Sequence, residues 1–202
     1  MKVAVDTRLL IKDHIDGLGQ FTFEAFKHIV LKNPTVQFIF IFDRAPHTDF
    51  IFGKNVTTKV IGPQARHPFL YMIWYGFSLK RLLKKIKPDI FVGTNGMIPL
   101  NTKTKTLSVI HDLNFEHHPE HLPQIIRKYY CKYFPKFANN ATRIASVSEF
   151  SKKDIVKTAL EYLNSPYLWG GNSPYGIDCS GLTQMTYLLH GIQIPRDACD
   201  QG

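Results

Sequence analysis

The sequence predicts an α/β fold, with a doubly wound and mainly parallel Rossmann-like sheet over most of its 202 residues. Short runs of β-branched and aromatic residues, several without polar alternation, are typical of strands buried on both faces of a parallel sheet. Segments with helical periodicity lie between these runs, and regular alternation of strand and helix favours the doubly wound arrangement. An apolar content of 44% is sufficient for a packed core.

The predicted elements follow one another in a simple order. The predicted strands are residues 2–6, 36–42, 56–61, 89–92, 106–110 and 143–147. The predicted helices are residues 19–31, 69–87 and 123–137, and Pro135 is expected to bend or end the last of them. A further helix is predicted over residues 151–163, where Ser151 and Asp154 have capping-box spacing before an apolar face.

Charge and cysteine usage indicate an anionic partner and a reducing compartment. The formal net charge of +9 favours a phosphorylated ligand, an anionic membrane surface or nucleic acid, and charge alone does not choose among them. The three cysteines have neither metal-type nor disulfide-type spacing, which fits the cytoplasm. We expect neither a membrane span nor a secretory segment, because no long apolar run occurs.

The predicted helix at residues 69–87 combines aromatic and basic side chains. Such a helix could lie on an anionic membrane, at the inner face of the cell membrane. A crossover helix with a solvated basic side is the alternative that the pattern favours. The residues concerned are Phe69, Tyr71, Ile73, Trp74, Phe77, Leu82 and Leu83 with Lys80, Arg81, Lys84, Lys85 and Lys87.

Polar or glycine residues follow two predicted strands at their carboxyl ends, where open α/β sheets bind ligands. Gly17 and Gly19 open the first helix, where backbone N–H groups can approach a phosphate, although ordinary turn glycines would give the same pattern. His111 and Asp112 follow the strand at residues 106–110. Histidines at residues 117–121 are interrupted by Pro119, which favours a loop over a metal site.

Cys179 follows a loop rich in glycine and proline and begins a predicted helix. The helix dipole stabilises a thiolate at this position, which favours a nucleophile over a buried structural cysteine. His190 follows in the same helix, and its separation from Cys179 of about 16 Å along the axis excludes it as the general base.

Several motifs together resemble the N-terminal domain of family-4 retaining glycosyltransferases. They are Asp6-Thr7-Arg8, Gly17-Leu18-Gly19-Gln20-Phe21-Thr22, Lys87-Pro88-Asp89, His111-Asp112-Leu113, His118-Pro119-Glu120 and Ser146-Val147-Ser148-Glu149-Phe150-Ser151. The resemblance implies half of a GT-B fold and sugar transfer from a nucleotide-sugar to a sugar or lipid-linked acceptor. It also implies that Gly17 and Gly19 face the donor diphosphate and that His111 and Asp112 face the cleft.

The C-terminal residues resemble the first half of NlpC-type cysteine endopeptidases. The motifs are Pro166-Tyr167-Leu168-Trp169-Gly170-Gly171, Gly176-Ile177-Asp178-Cys179-Ser180-Gly181-Leu182 and Gly191-Ile192-Gln193-Ile194-Pro195-Arg196-Asp197. The resemblance implies a helical fragment of a papain-like α+β domain that acts on peptidoglycan stem peptides. Cys179 would then be the nucleophile, with Tyr167, Asp178, Ser180 and Arg196 lining the substrate cleft.

The two resemblances predict two parts, residues 1–157 and residues 158–202, in a chimera of two truncated enzymes. We expect each substrate to bind weakly and the chain to be inactive by itself, and we expect no cofactor, no metal and no nucleic acid. Two alternatives remain. The chain could be a γ-D-glutamyl peptidoglycan endopeptidase whose histidine comes from a partner chain, or it could be a non-catalytic binding module or artificial chimera.

Overall fold

A computed structural model describes residues 1–113, 115, 120, 122–148, 172–173 and 176–177. The chain divides into two compact units, the first formed by Met1–Ile110 with Asn140–Ala145 and the second by His111–Asn139 with Ser146–Gly202. In the described residues, no helix is long and apolar enough to cross a membrane.

The first unit is built on a six-stranded sheet. Its strands are β1 (Lys2–Asp6), β2 (Gln37–Phe42), β3 (Val56–Val60), β4 (Ile90–Gly93), β5 (Lys105–Ile110) and β6 (Arg143–Ser146). They lie in the order β3-β2-β1-β4-β5-β6. The pairs β1–β2, β1–β4, β2–β3 and β4–β5 are parallel. The predicted Rossmann-like sheet is confirmed, and each strand boundary lies within one residue of its predicted position.

Aromatic side chains fill the core on one face of this sheet. Phe38, Phe40 and Phe42 alternate along β2 and are buried, since β2 has a neighbouring strand on each side. Helix α1 (Gly17–Lys32) places Phe26 edge-on against Phe40, with 5.9 Å between ring centroids. Burial of aromatic rings in this geometry supplies both apolar area and a favourable ring contact. The core therefore fixes α1 over the centre of the sheet.

Helix α1 begins and ends with side-chain caps. Asp16 accepts a hydrogen bond from the Gly19 amide at 2.7 Å, and the Asn33 side chain donates to the Ile29 carbonyl at 2.8 Å. Caps of this kind satisfy backbone groups that the helix itself leaves unpaired. The helix consequently starts two residues before the predicted boundary.

The predicted helix at residues 69–87 is a composite. It consists of α2 (Pro68–Ile73), a π-helical turn (Trp74–Ser78) and α3 (Leu79–Ile86). Lys87 ends the helix in the left-handed region with φ 46°, a common helix termination, and the proline that follows cannot continue the helix. The π-helical turn was not predicted, because helical periodicity in the sequence does not resolve one extra residue in a turn.

Helix α4 (Gln124–Asn140) continues past Pro135, so of the two outcomes expected at this residue, an end of the helix is wrong and a bend stays a prediction. Phe134, Pro135, Phe137 and Ala138 are all buried, and their packing outweighs the backbone hydrogen bond that proline removes. A short antiparallel pair of strands, β7 (Asn172–Ser173) and β8 (Gly176–Ile177), was not predicted. The predicted helices at residues 151–163 and after Cys179 lie outside the described residues.

Candidate functional site

Buried polar side chains collect at the carboxyl ends of three neighbouring strands. Asp6 ends β1, Asp43 follows β2, and Thr94 and Asn95 follow β4; all four are buried. The strands themselves are almost wholly apolar, so this concentration of polar groups is specific to one edge of the sheet. In open α/β sheets this edge is where ligands bind.

The centre of this edge is the fully buried side chain of Arg8. Its Nη1 donates to the carbonyl of Ala65 at 2.8 Å, and its Nε lies 3.5 Å from the Asp6 carboxylate. The sulfur of Met97 lies 3.7 Å from Nη2. A buried guanidinium is stable only when anionic and polar partners replace its water, and these partners do so.

The hydroxyl of Tyr75 joins these groups into one network. It donates to Asp6 Oδ2 at 2.5 Å and accepts from Arg8 Nε at 3.2 Å, and the Asn95 amide lies 3.2 Å from the same oxygen. Tyr75 belongs to the π-helical turn, and turns of this type are frequent at functional sites. The turn thus places the Tyr75 hydroxyl at the end of β1.

Three aromatic rings from the same helix surround the Arg8 guanidinium. Its carbon lies 4.9 Å from the ring centre of Tyr71, 5.4 Å from that of Tyr75 and 5.8 Å from that of Trp74. These distances permit a cation–π attraction to each ring. The indole N–H of Trp74 has no acceptor in the described part of the chain, so this ring contributes its π face and its volume.

Burial sets the protonation of the network. Burial raises the pKa of the Asp6 carboxyl, and the Arg8 charge opposes that shift. Burial also raises the pKa of Tyr75 well above its ordinary value, again opposed by Arg8. The Tyr75 hydroxyl therefore stays protonated near neutral pH and acts as a hydrogen-bond donor. Because its side chains are almost wholly buried, the arrangement suits a rigid support beneath a ligand site better than proton transfer.

The predicted phosphate-binding glycines differ in their surroundings. A Cβ on Gly19 would lie 2.7 Å from the carbonyl oxygen of Leu9, so this position requires glycine. A Cβ on Gly17 would have no atom within 4 Å. The Gly19 amide already donates to Asp16. A phosphate role for these glycines stays a prediction.

The other predicted site residues fall in the second unit. His111 is half-buried and Asp112 is exposed, directly after β5. Tyr167, Asp178, Cys179, Ser180 and Arg196 lie outside the described residues. Their predicted roles are therefore untested by the geometry.

Sequence reasoning named Asp6 and Arg8 only as part of a motif and missed Asp43, Tyr75 and Asn95. A usable signal existed for two of these, since Asp43 and Asn95 come directly after apolar strands. Tyr75 carried no such signal, because its position within an aromatic helix is typical of a core residue.

Comparison with known proteins divides the chain into two matches. The model of Glycosyltransferase Family 4 matches residues 15–160, which is most of the chain. The model of the NlpC/P60 family matches residues 164–202.

Curated relatives are found for the C-terminal part. Dipeptidyl-peptidase 6 of Lysinibacillus sphaericus is 60% identical over 47 residues, which cover 23% of this chain and 17% of the relative. A gamma-D-glutamyl-L-lysine dipeptidyl-peptidase of Bacillus subtilis is 49% identical over 50 residues, covering 25% and 17% respectively. The chain thus spans less than a fifth of the length of these relatives.

Replacement of Arg8 by glutamine is expected to destabilise the first unit by about 3–5 kcal/mol, because it leaves the Asp6 carboxylate buried without its cation. The matched change, Arg81→Gln, removes an exposed arginine with no ion pair among the described residues and should alter stability by at most about 0.5 kcal/mol. Urea denaturation followed by circular dichroism measures both. Equal midpoints for the two variants would show that the buried network does not hold this edge together.

Proposed function

Through residues 15–160 the chain belongs to Glycosyltransferase Family 4, and on this basis we propose that its first unit serves the acceptor side of sugar transfer from a nucleotide-sugar. The observation that carries the proposal is the buried network of Asp6, Arg8, Tyr75 and Asn95 at the carboxyl edge of a parallel sheet. It holds in fixed positions the strand ends and loops of the edge where such sheets bind ligands.

A preorganised edge favours binding because its loops lose little freedom when a ligand arrives. Each polar atom of the network already has a partner inside the protein, so its geometry does not depend on the ligand. In this proposal Gly17 and Gly19 make a minor contact with the donor diphosphate. His111 and Asp112 face the acceptor, and the residues that hold most of the donor belong to another domain.

Nucleotide-sugars should therefore bind this chain with at best about millimolar affinity, since few contacts survive the entropy cost of association. Isothermal titration calorimetry with uridine-, guanosine- and adenosine-diphosphate sugars measures the affinity, with the free nucleoside diphosphates as controls. Binding of any nucleotide-sugar in the low micromolar range would assign the first unit to the donor instead, and the acceptor proposal would fail.

We further propose that the helix formed by α2, the π-helical turn and α3 contacts an anionic membrane that carries a lipid-linked acceptor. Phe69 is 60% exposed, Met72 42% and Phe77 63%, although all three are apolar. Arg81, Lys84 and Lys85 are exposed on the same helix, and none has an ion pair among the described residues. Exposed apolar groups next to unpaired cations match a bilayer with anionic headgroups.

The sequence around this helix strengthens the proposal. No aspartate or glutamate occurs between residues 50 and 88, so the helical cations have no acidic neighbours along the chain. The buried side of the helix, with Trp74, Tyr75, Leu79 and Leu83, packs inside the protein, and Phe69 and Phe77 are exposed on its outer side. A structural crossover helix requires only the inner side.

Vesicles containing phosphatidylglycerol should bind the chain, whereas pure phosphatidylcholine vesicles should bind it far less. The double change Lys84→Gln with Lys85→Gln should weaken binding about tenfold or more, since each cation near an anionic surface contributes about 1 kcal/mol. Phe69→Ser with Phe77→Ser should also weaken it, through lost apolar contact. Co-sedimentation with vesicles measures both.

The matched control removes two exposed cations from α1, by Lys27→Gln with Lys32→Gln. Its binding should remain close to that of the parent chain. If the two lysine-to-glutamine double variants weaken binding equally, the attraction comes from net charge alone and the helix is not a membrane contact. Preference for an acidic polynucleotide over the vesicles would likewise contradict this proposal.

For the C-terminal part we propose that Cys179 is the nucleophile of an NlpC/P60 peptidase segment acting on peptides that contain γ-D-glutamate. The family match over residues 164–202 and the identity to a gamma-D-glutamyl-L-lysine dipeptidyl-peptidase support it. Tyr167, Asp178, Ser180 and Arg196 would line the cleft. The imidazole of such an enzyme has to come from a histidine other than His190.

Cys179 should react with iodoacetamide near neutral pH faster than Cys131, because a helix N-terminus lowers the pKa of a thiol whereas Cys131 is half-buried inside α4. Mass spectrometry of the tryptic peptides over a time course gives the two rates. In urea the rates should become similar, which shows that folding causes the difference. Equal rates in the folded chain would contradict an activated thiol at Cys179.

A further inference from the structure

Two partly exposed arginines flank one buried carboxylate at the carboxyl edge of the sheet. Arg44 Nε lies 2.9 Å from Asp43 Oδ1, and Arg66 Nη2 lies 3.9 Å from Asp43 Oδ2. The Asp43 side chain is fully buried, and it also accepts the Ala65 amide at 3.1 Å. Asp43 therefore holds both guanidinium groups from the protein side.

The outer nitrogens of both guanidinium groups remain open to a ligand. The side chain of Arg44 is 27% exposed and that of Arg66 is 37% exposed. Arg66 Nη2 donates to the carbonyl of Arg8 at 3.2 Å, and the other nitrogens not bonded to Asp43 have no acceptor in the described part of the chain. Among the described residues, both guanidinium groups thus keep donors without an acceptor while sharing one buried carboxylate.

Positive charge is in excess at this place. Three guanidinium cations, of Arg8, Arg44 and Arg66, face two carboxylates, of Asp6 and Asp43. Burial lowers the pKa of Arg66, and repulsion by Arg44 and Arg8 adds to that shift while Asp43 opposes it. A bound anion would offset this crowding of like charge.

The nearby group of Lys12, His47 and Asp49 does not share this property. Lys12 Nζ lies 3.0 Å from Asp49 and His47 Nδ1 lies 3.2 Å from the same carboxylate. These three exposed side chains pair with one another, and the carboxylate that they share is itself exposed. The Lys12 group therefore lacks the buried carboxylate that Arg44 and Arg66 share.

We propose that Arg44 and Arg66 form a subsite for a phosphoryl group of the acceptor, so that the acceptor is a phosphorylated sugar or a lipid-linked phosphate. Planar guanidinium groups match the oxygen spacing of phosphate and form charge-assisted hydrogen bonds with it. Arg44 follows β2, and Arg66 reaches the backbone just after β1, which is the edge where the acceptor is proposed to bind. The identity of the ligand as an acceptor rests on the proposed function; anion binding by the two arginines does not.

Calorimetry with four probes tests the subsite: glucose 1-phosphate, glucose, inorganic phosphate and a short-chain phosphatidic acid below its micelle concentration. Glucose 1-phosphate should bind, and glucose should bind about tenfold more weakly or not at all. Arg44→Gln and Arg66→Gln should each weaken phosphate binding about tenfold or more, because each removes a charged donor. Lys32→Gln removes one exposed charge at the far end of α1 and should change nothing.

Arg44→Lys and Arg66→Lys keep the charge next to Asp43 and guard against loss of folding in the glutamine variants. The two lysine variants should fold as the parent does. They should still bind phosphate more weakly, because an ammonium group lacks the planar set of hydrogen-bond donors of a guanidinium. Stronger binding of glucose 1-phosphate than of phosphatidic acid would assign a soluble acceptor, and the reverse would assign a lipid-linked one. Both results support the subsite.

Unchanged glucose 1-phosphate affinity in both glutamine variants would show that the arginines only anchor the loop before α2, and the subsite would be rejected. The absence of any phosphate binding by the parent chain would reject it as well. These results are distinct from failure of the acceptor role, which is measured by tight binding of a nucleotide-sugar. An arginine-dependent phosphate site in a chain that also binds nucleotide-sugars tightly would overturn the assignment to the acceptor.

Discussion

The desolvated guanidinium of Arg8 constrains the whole carboxyl edge of the sheet. A cation removed from water needs partners on every side, and four segments of the first unit supply them: Asp6 from β1, Ala65 from the loop after β3, Tyr75 from the π-helical turn and Met97 from the loop after β4. Loss of one partner leaves buried charge that the fold cannot hydrate. The four segments are therefore held in fixed positions relative to one another.

The π-helical turn connects the inside of this edge with the outer surface. Trp74 and Tyr75 lie inside, beside Arg8, while Phe77 in the same turn is exposed. An extra residue in the turn changes which side chains face inward, and a regular α-helix would not divide these aromatic residues in the same way. In the proposed function, one helix therefore carries both part of the buried network that supports the acceptor site and the contact with the membrane.

The two family matches concern chemically unrelated parts. Residues 15–160 belong with sugar transferases, and residues 164–202 match a peptidase family whose nucleophile is a thiol. The matches meet within the helix predicted for residues 151–163. The first part owes its structure to a sheet with buried aromatic residues, and its proposed site depends on contacts within that sheet. The proposal for the second part depends on the motif around Cys179.

The sequence by itself determined the six strands, their alternation with helices and the cysteine motif, because these are encoded in residues close together along the chain. It also indicated the carboxyl ends of the strands as the place for a site. Only the tertiary structure decided that Tyr75 meets Asp6, 69 positions away, and that Arg66 shares Asp43 with Arg44. It also decided that α4 continues through Pro135. Such contacts depend on strand order and on the burial of distant residues, and local periodicity carries no information about either.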